Sequence, residues 1–116
     1  MKHVSKKGRK FGRVKKVRLA LLKSLCLALI LKGRIKTTEA KAKELNRIIS
    51  PFVTKAKICG LANIKLIAKF LPEQAISKLI KEIGPKYQDR NGGYTRVIKL
   101  GEMRKDGARM CLIEFV

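Results

Sequence analysis

The sequence predicts an α+β domain of two layers, about four helices packed on a small mixed sheet, with an extended basic arm at its N-terminus. Three observations lead there. Apolar residues recur at helical spacing through most of residues 14–83. Two β-branched runs close the sequence, separated by a stretch holding Asp106-Gly107. The apolar share, 46%, is that of a globular protein although the net charge is +21 on 116 residues. That length predicts one domain, residues 14–116, behind an arm of residues 1–13.

In the arm, only Val4 and Phe11 are singled out as large apolar residues, and Gly8 and Gly12 add freedom. So little apolar surface does not offset ordering entropy, which predicts an extended segment. From Val14 the pattern turns helical. Val14, Val17, Leu21, Leu22, Leu25, Ala28 and Leu29 form a stripe with Lys15, Lys16, Arg18 and Lys23 at its edge. A helix over about 14–32 follows, stopped by a left-handed Gly33. Arg34 to Thr37 reads as a short strand, the sheet's third member beside the C-terminal hairpin. Thr37 or Thr38 then caps a second helix, with Glu39 in its first turn, where the helix dipole favours an acid. Its stripe is Ala42, Leu45, Ile49, Phe52, Val53 and Ala56. Pro51 sits inside that stripe and predicts a kink or break, since proline has no N–H to donate. Gly60 predicts the end. Leu61 to Phe70 reads as a third helix. Pro72 takes the first position of a fourth, with Ile76, Leu79, Ile80 and Ile83 inward, and Gly84-Pro85 stops it. Tyr94–Leu100 and Ala108–Val116 are the strands of an antiparallel hairpin turning over Gly101–Gly107.

Charge bounds the function. Thirteen of the 29 Lys and Arg precede the first carboxylate, Glu39. Such a surplus opposes compaction unless a polyanion takes it up, and nucleic acid is the obvious one. The rest of the chemistry is sparse. Three cysteines, odd in number and far apart, and a single histidine, His3, lack the close pairs of a zinc site, so no metal or cofactor is expected. One histidine and eight scattered acids do not assemble a general acid–base pair. No serine lies in Gly-x-Ser-x-Gly, and Gly92-Gly93 is too short for a phosphate-binding loop motif. No enzyme and no small-molecule substrate are expected. Leu19–Leu31 is too short to span a bilayer, so no membrane insertion is expected. A targeting or membrane-surface helix over 14–32 stays the competing reading.

Three segments carry the chemistry of RNA contact. The first is the arm and its continuation, Lys2, His3, Lys6, Lys7, Arg9, Lys10, Arg13, Lys15, Lys16 and Arg18, whose bases are spaced to track successive phosphates. The second is Arg90-Asn91-Gly92-Gly93-Tyr94-Thr95-Arg96. There two glycines admit close approach of the backbone, Arg90 and Arg96 offer planar donors, and Tyr94 offers a ring face or a hydroxyl. A plain hairpin-entry loop is the rival explanation. The third is the helix exit, Lys32, Arg34 and Lys36 around Gly33, where positive charge equally suits the helix C-terminus.

Several of these pieces occur together in one known order. Met1-Lys2-His3 with Gly8-Arg9 is followed by Ile35-Lys36-Thr37-Thr38 leading into Lys41-Ala42-Lys43-Glu44-Leu45. Then come Pro51-Phe52-Val53-Thr54 with Ala56-Lys57, Gly92-Gly93-Tyr94-Thr95-Arg96-Val97 with Lys99, and Met110 with Ile113-Glu114-Phe115-Val116. This array, covering essentially the whole chain, resembles the bacterial large-subunit ribosomal protein seventeen family. The resemblance implies an α+β fold with an N-terminal extension and a structural place in the cytoplasmic ribosome, with an organellar ribosome as the alternative. It implies assembly onto large-subunit rRNA near the nascent-chain exit, beside ribosomal protein thirty-two. Lys2 to Arg18, Arg34 to Thr38 and Arg90 to Arg96 are the implied rRNA-facing parts. The sequence departs from the family pattern at Val14-Lys15-Lys16-Val17, where members often carry Ser-Ser-His, and at Lys105–Arg109, where they favour Gly-Asp.

Overall fold

The computed structural model describes residues 15–116; Val14 and the arm, with Lys2, His3, Lys6, Lys7, Arg9, Lys10 and Arg13, lie outside the described residues. Helix α1 spans Lys15–Lys32 and ends at Gly33, whose φ of +85° turns the chain while its N–H bonds Leu29 O at 2.8 Å. Of the predicted stripe, Leu22 and Leu29 are buried and Leu21, Leu25 and Ala28 half-buried; Cys26 and Ile30 join the buried face, and Val17 is 50% exposed. Among the described residues a layer covers the C-terminal half of α1, where its buried residues lie, and none covers its first described turns. Burial pushes the Cys26 thiol up to about 12.

Strand β1 (Arg34–Thr38) leads directly into α2 (Glu39–Ile58). Thr38 is the cap, its Oγ1 accepting from Lys41 N at 3.4 Å. Of the kink or break expected at Pro51 the break is absent, and α2 runs through it. Pro51 is exposed, while Leu45, Ile49 and Val53 are wholly buried. Burial of each is worth about 1.5–3 kcal/mol, which together outweighs the roughly 3 kcal/mol a mid-helix proline costs. The helix ends at Cys59 rather than Gly60. Cys59 adopts φ 54° and donates its N–H to Lys55 O at 3.1 Å, and Gly60 caps the next helix instead.

Helix α3 (Leu61–Ala68) stops two residues short of the predicted end. Pro72 precedes α4 (Glu73–Lys78) as its cap and not as its first residue. Gly84-Pro85 does not stop this helix. The chain widens into a π-helical turn (Leu79–Ile83), where Gly84 N–H reaches back to Leu79 O, and then completes a further turn, α5 (Gly84–Lys86). The π turn accommodates the missing Pro85 donor. Gly84 itself sits against α2, where a Cβ would lie 3.1 Å from Ala56 O and from Leu79 O.

Strands β2 (Thr95–Met103) and β3 (Arg109–Phe115) complete a sheet of order β1-β3-β2. It is antiparallel throughout rather than mixed, because β3 lies between the other two and opposes both. The β2 strand runs past the predicted turn. Gly101, at φ +77°, falls within the register shift between Lys99 and Met103, and the chain reverses over Arg104–Ala108. Asp106 Oδ1 accepts from Ala108 N at 3.1 Å there. Thr37, Cys111, Ile113 and Thr95 face the helices; Arg34, Lys36, Glu114 and Arg96 alternate onto the open face. Two layers result.

Candidate nucleic-acid interface

The register brings two of the predicted segments to one end of the sheet. Arg34 and Arg96 both stand opposite Glu114, one on each flanking strand. Arg96 pairs with its carboxylate at 2.7 Å and Arg34 at 3.9 Å. Phe115 N–H donates to Gly33 O at 3.1 Å and Val116 N–H to Tyr94 O at 2.9 Å, which ties the α1 exit to the Gly-Gly loop across the end of β3. Glu114 is thus a common anchor for two guanidiniums whose remaining donors face solvent. Lys36, one pleat along, pairs with Glu102.

Tyr94 departs from expectation. Its side chain is 1% exposed, so its ring offers no face to an incoming base. Instead its hydroxyl lies 3.2 Å from Thr54 Oγ1, accepts from Lys57 Nζ at 3.1 Å and donates to Arg90 O at 3.3 Å. Those hydrogen bonds, Thr54 first and then Lys57, hold the phenol below its ordinary range. Lys57 Nζ also bonds Arg90 O directly, and Gln88 Nε2 donates to Lys57 O at 3.1 Å. The loop is therefore pinned from α2. Arg90 Nε donates to Gly92 O at 3.3 Å, Gly93 takes φ +62°, and the exposed Arg90 and Asn91 form its outer edge. Lys57 is absent from the predicted RNA-contact segments and is the residue sequence reasoning missed. Only its four-residue spacing from Val53 on the buried stripe hinted that it reaches inward.

Thr37 and Thr38 have structural work. Thr37 is buried opposite Cys111 and Thr38 caps α2. Lys15, Lys16 and Arg18 lie elsewhere. They lie in the first described turn of α1, about 22–27 Å along the helix from Gly33. No acid accompanies them in that turn. Among the described residues none of the three has a carboxylate partner.

The model of the family described as Ribosomal protein L17 matches residues 21–116. The chain belongs to the ribosomal protein L17 family. It is 46% identical over 109 residues to the large ribosomal subunit protein bL17 of Campylobacter jejuni strain 81-176, covering 93% of each chain. The bL17 proteins of Alkaliphilus metalliredigens, 45% identical over 93% of this chain and 96% of theirs, and of Nautilia profundicola, 45% identical over 93% of each, are similar to it as well. L17 proteins are structural ribosomal components and not enzymes. The matched span covers the sheet end, the pinned loop and most of α1, and starts after Lys15, Lys16 and Arg18. Among the described residues no helix is long and apolar enough to cross a membrane.

Proposed function

We infer that this chain is a structural constituent of the large ribosomal subunit that binds and stabilises large-subunit rRNA without catalysis. Contact runs through two basic regions. One is the arm of residues 1–13 with its continuation Lys15, Lys16 and Arg18; the other is the sheet end carrying Arg34, Lys36, Arg90, Asn91, Gly92, Gly93 and Arg96. The observation that carries the reading is the sheet end, where the exposed Arg34 and Arg96 share the single carboxylate of Glu114 and keep further donors for phosphate. Family membership supports a site near the nascent-chain exit, beside ribosomal protein thirty-two, in the cytoplasmic ribosome.

Sedimentation of ribosomal particles at moderate salt tests this. The chain is expected in stoichiometric amount with the large subunit; its absence there refutes the reading. With about 6–10 phosphates contacted, affinity for naked large-subunit rRNA falls by about 10³–10⁵ between 50 and 200 mM salt. Arg96→Ala lowers incorporation more than Lys69→Ala, and equal losses would leave the loop with no role beyond bulk charge.

A further inference from the structure

A cleft of about 170 Å³ opens beside the sheet end, between the α1 exit and the π-helical turn. Its lining divides by chemistry. Its apolar floor is the half-buried Phe115, whose ring is stacked on that of Tyr87 at 6.3 Å, backed by the buried Ile30, Ile83 and Tyr87. Lys78 and Lys86 stand at its edge with one carboxylate, Glu82. Gly33 forms the remaining wall, and no atom lies within 4 Å of where its Cβ would be, so the entrance on that side stays open. Lys32 and Arg34, the exposed neighbours of Gly33, extend the positive rim.

We propose that this cleft receives one unstacked nucleotide of rRNA, its base against the apolar floor and its phosphate on Lys78 and Lys86. The proposal rests on the rRNA-binding reading above. Size sets the first limit, since the space suits a single flat ring system and not a larger ligand. Charge sets the second. Lys78 Nζ is held by Leu31 O at 2.9 Å, and Lys86 Nζ lies 5.3 Å from the Tyr87 ring centroid, so both cations are fixed at the rim before any ligand arrives. Bases turned out of RNA are recognised by this combination of a ring-lined floor and flanking cations. Glu82 gives the site its selectivity for RNA. A carboxylate accepts from an exocyclic amine or a ribose 2′-hydroxyl and repels a misplaced phosphate. The π turn serves the site by setting Glu82 and Ile83 at the cleft in a segment where an ordinary helix would rotate them differently.

Large subunits assembled with the full chain carrying a photo-crosslinking amino acid at position 85, an exposed neighbour of the cleft that makes none of the proposed contacts, provide the test. The expected result is a crosslink to rRNA at a nucleotide left unpaired in the folded RNA. A crosslink to protein alone means that a neighbouring polypeptide fills the cleft and overturns the proposal, as does incorporation with no crosslink. Failure of the unsubstituted chain to incorporate refutes the rRNA-binding reading itself. As a second measure, Lys86→Glu should weaken binding to naked large-subunit rRNA about tenfold, and Lys105→Glu, on the far hairpin turn, less than threefold. Equal losses leave only bulk charge and overturn the cleft.

Discussion

Removing one oxygen from Tyr94 tests whether the Gly-Gly loop is pinned from α2. In Tyr94→Phe the ring keeps its place and the hydroxyl's contacts with Thr54, Lys57 and Arg90 O vanish. The 3.3 Å bond to Arg90 O is long for a hydroxyl donor and contributes little. Thr54 is exposed and rehydrates, and Arg90 O keeps Lys57, so no buried group is orphaned. What remains is one charge-assisted bond from Lys57, a loss of about 1.5 kcal/mol. With a urea slope of about 2 kcal/mol/M, the unfolding midpoint falls by about 0.7 M. The measurement belongs at high salt, where the self-repulsion of a +21 chain is screened. Lys57→Met in both backgrounds completes a cycle, with an expected coupling of at least about 0.5 kcal/mol. An unchanged midpoint in Tyr94→Phe, with coupling below about 0.3 kcal/mol, would refute the pinned loop.

Cys59→Gly relieves a left-handed non-glycine residue at the end of α2 and should stabilise by about 1 kcal/mol, seen as a melting point about 4 °C higher. In the native protein a thiol alkylating reagent should label Cys59 and spare buried Cys26 and Cys111 until denaturant is added, as peptide mass mapping will show. The Ala108 N–H, and then Arg104, hold the Asp106 carboxyl below its ordinary range. Its folded pKa is the lower one, so its contribution is complete above the unfolded carboxylate pKa and disappears as pH falls through the folded value. Asp106→Asn should flatten that acid limb of the hairpin's stability, and an NMR titration of the Asp106 carboxyl checks the direction.

Much of this was legible in residue order. Gly33, Thr38, the α2 stripe and the C-terminal hairpin announce themselves because each rests on local chemistry. The errors occur where distant parts decide. Val17 fits a helical stripe, but among the described residues no layer covers the first turns of α1. Pro51 and Pro85 look like breaks and are tolerated, one on an exposed face and one behind a widened turn. Gly84 reads as a stop signal, whereas its use is close contact with Ala56. For the interface, composition made the bases conspicuous, yet it could not sort them. Pairing across β3 joins Arg34 to Arg96, and nothing in either segment alone encodes that meeting. Tyr94 looked like a stacking platform because burial depends on α2, forty residues earlier in sequence.

The strand that joins the other two is also the last to be synthesised. While the chain is being made, β1 has emerged with both edges bare and β2 follows with no neighbour, so a stalled or shortened product displays two orphan strands on a nearly complete helical layer. Sheet closure therefore waits for β3, and the long-range pairing of β1 with β3 makes it a late event in folding. A chain lacking β3 should be a holdase substrate and a protease target, never a stable helical remnant.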